Sequence, residues 1–188
     1  MAAAYARLLE TWPVLTKSAT AGALLGLGDC AVQRVVEGGA WDRRRTAKLA
    51  LLGGLMVGPT LHAWYGWLGR AVPGTAPSRV ATRVAADQFA FAPVFLSAFL
   101  GVNYVADGKP EPARKVREDI VPVLKTNWMV WIPYQAFVFS TVPLKWQVLA
   151  NNVCGAVWNG YLSFVAHRQP APAQHAASDA RSHEPREA

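Results

Sequence analysis

The sequence is short of charge. Asp, Glu, Lys and Arg make up 16% of its 188 residues, against roughly 25% in an ordinary soluble domain. Hydrophobic residues make up 52%, which excludes a disordered chain, whose composition is the reverse. Cysteine is scarcer still. Cys30 and Cys154 stand alone, which excludes a disulfide scaffold and a multi-cysteine zinc module; buried free thiols are the expected state, with pairing left open. Phosphate-binding glycine loops, a dinucleotide fingerprint, a nucleophile elbow and a Cys-x-x-Cys pair are all missing. Asp29 and Asp87 have no nucleophile–base constellation beside them. The expectation is a non-enzymatic protein with no metal and no cofactor. The net charge of +7 sits between hydrophobic stretches, where anionic lipid is a nearer partner than nucleic acid.

The charges that exist are absent in blocks. Residues 49–69, 88–106, 126–144 and 146–167 contain none, and residues 13–33 contain only Lys17 and Asp29. A helix needs about 20 mainly apolar residues to cross a bilayer. A soluble bundle would place charges at helical spacing along each helix, and these windows do not. The fold class read here is all-α: a polytopic helical membrane protein with four to five hydrophobic helices plus one amphipathic interfacial helix. Trp12, Trp41, Trp67, Trp128, Trp131 and Trp146 lie near window ends, where amphipathic rings favour the membrane interface.

Residues 1–168 read as a single helical membrane domain and 169–188 as a disordered polar tail. Residues 1–12 lack the features of a secretory signal and are poor in Arg and Ser, so targeting is expected to be internal. Residues 34–48 and 70–83 read as basic linkers. Within 110–125, Ala113, Val116, Ile120 and Leu124 recur at helical spacing among charges, which predicts an amphipathic helix in the headgroup plane or a solvated connecting helix, ended or kinked by Pro122. In a five-helix reading, six positive residues fall on the N-terminal side and 13 on the other, a bias that retains the 34–48 and 109–125 loops.

Lipid tails give helices no hydrophobic reason to associate, so small residues carry the packing. Gly22 and Gly26 run into Asp29 and Gln33 on one helical face; Gly54 and Gly58 run into His62 and Tyr65; Asn152, Gly155 and Asn159 form a third stripe. These stripes are expected to face one another. An ionisable group at mid-depth costs at least about 2.5–3.5 kcal/mol. Asp29 and Asp87 therefore admit two readings. Either they are near-interface ion pairs, with Arg34 or Arg43–Arg45 and with Arg83, or they line a polar path with Gln33, His62, Gln88, Gln135 and Asn152. His62 beside Trp64 and Tyr65 reads first as a hydrogen-bonded packing residue.

Several segments in combination resemble the Mpv-seventeen family, also named after a 22-kilodalton peroxisomal membrane protein. They are the run from Gly22 to Asp29 with Gln33, Trp41 to Thr46, Gly58 to Tyr65, Asp87 to Pro93, Thr126 to Trp131 with Gln135, Val142 to Leu144, and Trp158 to Ser163. The resemblance covers about residues 5–168. It implies a compact protein generally described with four spans, located in the mitochondrial inner membrane or, alternatively, the peroxisomal membrane. It also implies non-selective, weakly cation-preferring channel activity linked to membrane-potential, redox and nucleotide-pool or mitochondrial DNA homeostasis. No catalytic residues carry over. The chain departs from the family pattern at Ile132, which displaces Pro133 by one position, at Val138 in place of Asn, and at Gln147 in place of Arg. Displacing a proline by one residue turns any kink by about 100°.

Two functions follow. The first is a channel for small solutes or ions; the alternative is a non-conducting scaffold or assembly factor. The expected partners are the lipid bilayer, small solutes or ions, and a second copy of the chain or a larger membrane complex, with no direct nucleic acid.

Overall fold

The computed structural model describes residues 2–38 and 40–168, with the side chains of residue 2 and of 158–168 excepted. The expected polar tail at 169–188 lies outside the described residues. Within them the chain forms six continuous helices and no strand. Helix α1 is Ala2–Thr11; α2 is Pro13–Ala31, continuing as π-helix over Val32–Glu37. Helix α3 joins Arg43–Leu52, a π segment at Gly53–Val57, and Gly58–Ala71. Helix α4 joins Pro77–Ala85, a π segment at Ala86–Phe91, and Ala92–Ala106. Helices α5 and α6 are Pro112–Thr141 and Leu144–Arg168.

Local chemistry sets these boundaries. Pro13, Pro77 and Pro112 open α2, α4 and α5, where a missing N–H costs nothing. Asp42 caps α3 by accepting from the Arg45 N–H at 3.0 Å. Gly38 and Gly108 both have φ of +63°, the left-handed conformation that ends a helix without a Cβ penalty. The loops between α2 and α6 span five residues or fewer, so consecutive helices run antiparallel. Trp12, Trp67 and Trp146 consequently share one end of the bundle and Trp41 lies at the other.

Two π segments directly precede prolines. The Gly58 N–H bonds to the Gly53 carbonyl ahead of Pro59, and the Ala92 N–H bonds to the Asp87 carbonyl ahead of Pro93. A proline cannot donate to the carbonyl four residues back and its ring crowds that position. Widening the preceding turn to i→i+5 bonds lets the helix pass through.

Helix α5 differs from the sequence expectation. Pro122 and Pro133 both lie inside one 30-residue helix. The segment expected as a separate interfacial helix is the charged first half of α5, and Pro122 does not end it. The linkers are also shorter than expected: residues 34–37 and 43–48 are helical, as are 77–83. A charged residue ends an apolar window, but it does not end a helix.

Helix α2 packs against both α3 and α6, while α4 pairs with α5. The α2–α3 contact is backbone against backbone. A Cβ on Gly22 would lie 2.8 Å from the Ala50 carbonyl oxygen, one on Gly53 2.6 Å from the Ala21 oxygen, and one on Gly58 2.5 Å from Ser18 Cα. Gly26 faces the Ala50 methyl and Gly54 the Ser18 carbonyl. Such close approach is how helices associate where burial from water gives no drive. The shared core holds Leu61, Tyr65, Leu68, Val138, Phe139 and Val148.

Candidate functional site

The polar residues expected to form one path separate into three clusters. The first joins the end of α2 to the start of α3. Asp29 Oδ2 accepts from Gln33 Nε2 and from the Thr46 hydroxyl, each at 2.6 Å. Its Oδ1 lies 2.7 Å from Arg45 Nε, an ion pair without hydrogen-bond alignment. Arg45 also holds Glu37 at 2.9 Å. Gln33 Oε1 accepts from the Asp42 N–H at 2.6 Å. Trp41 donates to Thr46 at 3.0 Å and lies under the guanidinium groups of Arg34 and Arg43. Every member of this cluster is engaged by another part of the chain, and the cation for Asp29 is Arg45.

The second cluster joins Lys17 and His62. Lys17 is buried, and its ammonium donates to His62 Nδ1 at 3.0 Å, which makes Nε2 the protonated nitrogen of a neutral ring. His62 faces α2, while Tyr65, expected on the same stripe, turns to the core and accepts from Gln135 at 2.8 Å. Both lie in the regular segment Gly58–Ala71, where a spacing of three residues sets them about 60° apart, so His62 stays on the Gly58 side and Tyr65 turns inward.

The third cluster is the site. Asp87 is buried in α4, and its Oδ1 accepts from the Trp64 indole N–H at 2.8 Å and its Oδ2 from Gln88 Nε2 at 2.7 Å. The expected pair with Arg83 does not form: Arg83 Nε donates instead to the Val72 carbonyl at 2.7 Å. Among the described residues, no basic nitrogen comes within salt-bridge distance of Asp87. Gln88 in turn holds Asn127 through its Oε1 and Trp128 through its carbonyl, both at 2.9 Å. Gln135 donates to Tyr65 and to Asn151 Oδ1, and Asn151 donates to the Gln147 carbonyl.

A cavity of about 560 Å³ opens beside this network, lined from all five helices α2 to α6. Asp87, Gln88, Gln135, Asn151 and Asn152 form its polar part; Leu25, Phe95, Phe99 and Val123 are among its apolar walls. Gln135 Oε1 and Asn152 Nδ2 are buried with no hydrogen-bond partner among the described residues. Phe91, Phe95 and Phe99 stack along α4 with centroids 5.2 and 6.2 Å apart, and Trp64 stacks on Phe91 at 4.6 Å. Gly155 lines the same space, with Trp131 as its neighbour. The Asn159 side chain lies outside the described residues. Sequence reasoning missed Trp64, Asn127 and Asn151, whose polar atoms carry no spacing signal until the helices are paired. At the departures from the family pattern, Val138 is fully buried, and Gln147 donates to the Val142 carbonyl at 3.0 Å.

Comparison with known proteins covers nearly the whole helical region. The Mpv17 / PMP22 family profile matches residues 104–163. Protein sym-1 of Neurospora crassa is 38% identical over 166 residues, 86% of this chain and 96% of the relative. The chain belongs to the Mpv17 / PMP22 family. Other members similar to it include the mitochondrial inner membrane protein Mpv17 of Danio rerio, 34% identical over 87% of this chain and 96% of its own length. The human Mpv17 is 35% identical over 88% of this chain and 97% of its own length. No solved structure matches this Mpv17-family chain.

Proposed function

We propose that this chain is a polytopic protein of the mitochondrial inner membrane in which α2 to α6 cross the bilayer. In this reading, the central cavity forms part of a path for small solutes or ions. The observation that carries the reading is the set of polar residues buried beside the apolar core, together with large apolar side chains on the outside of the bundle. Its buried residues include Lys17, Asp29, Gln33, Asp87, Gln135 and Asn152, whereas Val35, Leu55, Val94, Met129 and Val157 are each more than two-thirds exposed. Water would reverse that arrangement; lipid favours it, because apolar side chains meet the tails while polar groups satisfy one another inside. Pro77–Ala106 passes the length and composition test for a span by itself. The charges of α2, α3 and α6 lie near their ends or turn inward, whereas α5 is charged through its first half as far as exposed Lys125 and uncharged from Thr126 to Thr141. The names of the Mpv17 relatives support the inner-membrane location.

The path is assigned to Asp87, which lines the cavity and has no cationic partner among the described residues, and not to Asp29, which is paired with Arg45. Conduction here serves membrane-potential, redox and nucleotide-pool homeostasis, the roles that the family resemblance implies. The test is reconstitution in planar bilayers. The purified protein is expected to conduct, Asp87→Asn to change conductance or ion preference, and Asp29→Asn to lower stability without changing ion preference. A silent but folded preparation, across voltages and reducing conditions, refutes conduction. The internally paired Asp29–Arg45 cluster and the glycine seam favour the second reading, a non-conducting scaffold. In that case a stable heteromeric assembly is expected on native gels.

A further inference from the structure

We infer that the central cavity is a binding site for an amphiphilic monocation: an organic ammonium whose charged head pairs with Asp87 and whose apolar body lies along the Phe91–Phe95–Phe99 wall. The inference deepens the channel reading by naming what the cavity takes. It rests on that reading only in placing the bundle in lipid.

Four observations carry it. First, both oxygens of Asp87 accept from N–H donors, the pattern of an ionised carboxylate, which accepts only. Each oxygen keeps a second lone pair for another donor. Second, this buried carboxylate has neutral partners where Asp29 has Arg45. An uncompensated buried charge is costly, and a cation in the adjoining cavity removes that cost. Third, two residues of the cavity lining each hold a buried polar atom without a partner among the described residues, and both atoms are chemically complementary to such a ligand. Gln135 Oε1 accepts an ammonium N–H, and Asn152 Nδ2 donates to an oxygen substituent.

Fourth, the cavity is graded. On α4 its lining runs from Asp87 to Leu100, a rise of about 20 Å at 1.5 Å per residue. The polar groups lie toward one end and the stacked phenylalanines continue toward the other. A hydrated inorganic ion would leave the long apolar part without a partner, whereas an amine with an aromatic or aliphatic body fills both. The aromatic faces also attract a cation passing along them. A volume of about 560 Å³ falls within the range that holds a drug-sized molecule.

The test uses the full chain in nanodiscs of zwitterionic lipid, with empty nanodiscs as the partition control. The probes are 4-phenylbutylamine, 4-phenylbutanol and 4-phenylbutanoate, followed by calorimetry and tryptophan fluorescence. The amine is expected to bind about tenfold or more tighter than the alcohol, the scale of one charge-assisted hydrogen bond, and the carboxylate weakest. Asp87→Asn is expected to erase the preference for amine over alcohol while leaving alcohol binding in place. Leu100→Trp, which fills the apolar end, is expected to weaken amine and alcohol together. Equal affinity for amine and alcohol in the wild-type protein overturns the proposal whatever the variants do. Amine preference in a protein that does not conduct keeps this site and removes the channel. Conduction without amine preference does the opposite.

Discussion

Trp64 joins two features of the cavity at once, since its indole N–H donates to Asp87 while its ring stacks on Phe91 with only 9° between the planes. The carboxylate and the aromatic wall are therefore aligned by the same side chain. Trp64→Phe keeps the stack and removes the donor, leaving Asp87 Oδ1 unsatisfied. The expected loss is about 1–3 kcal/mol, the usual penalty for a buried polar group without its partner. Thermal unfolding in detergent measures it, with Trp12→Phe, at an exposed indole, as the near-silent control.

The α2–α3 seam gives a sharper contrast. Gly58→Ala forces a methyl to within 2.5 Å of Ser18 Cα, so one helix must move away from the other. Its expected loss exceeds about 2 kcal/mol, in the range of overpacked cores. Gly66→Ala, on the same helix, meets only the tip of Arg70 at 3.9 Å. It is expected to be neutral or stabilising by up to about 1 kcal/mol through helix propensity. Equal unfolding temperatures for the two variants would remove the seam from the account.

Arg45 supplies the positive charge for buried Asp29, although its own side chain is partly exposed. Solvent screening therefore reduces its contribution, and Arg45→Met is expected to destabilise by about 1–3 kcal/mol. Adding Asp29→Asn removes the stranded charge and is expected to recover part of that loss. A double-mutant cycle gives the coupling as the departure from additivity.

In the charged first half of α5, ahead of the uncharged stretch that begins at Thr126, Asp119 accepts from the Tyr104 hydroxyl at 2.6 Å and pairs with Lys115 at 2.9 Å. The Tyr104 hydrogen bond, followed by the contacts with Lys115, holds its pKa below the ordinary carboxylate value. A folded pKa below the unfolded one means the tether is complete above the unfolded value, near 4. It is lost as pH falls through the still lower folded value. Hydrogen-exchange protection across residues 104–119, relative to the unstructured rate at each pH, is expected to be high at neutral pH and to fall in acid below that range. Tyr104→Phe should raise exchange at neutral pH and shrink the acid step.

Four of the five long helices were legible because charge is missing in blocks of 19–22 residues, and the stretch 13–33, with only Lys17 and Asp29, marked the fifth. Helix ends were less legible. Arg83 stopped an apolar window, yet it stays helical by folding back onto the Val72 carbonyl. The glycines at 22, 26, 54 and 58 were visible as a stripe because close packing is a periodic demand. The polar site was visible only in its members. His62 and Tyr65 are three residues apart, yet one faces Lys17 and the other Gln135. Both lie on the regular helical segment Gly58–Ala71, about 60° apart around its axis, enough to send them to different neighbouring helices. Partner choice between helices, which separates Asp29 from Asp87, leaves no mark in spacing.

The widened turn at Ala86–Phe91 has a consequence for heredity as much as for chemistry. It holds one residue more than a uniform α-helix would use. Asp87 belongs to that surplus turn, and the rings of Phe95 and Phe99 belong to the regular coil beyond it. A gene one codon shorter here would still encode a helix reaching Ala106, but its acid would point about 100° away from its rings. At this turn the number of residues, as well as their identity, keeps acid and rings on one wall, and an in-frame deletion between Asp87 and Phe91 is expected to separate them.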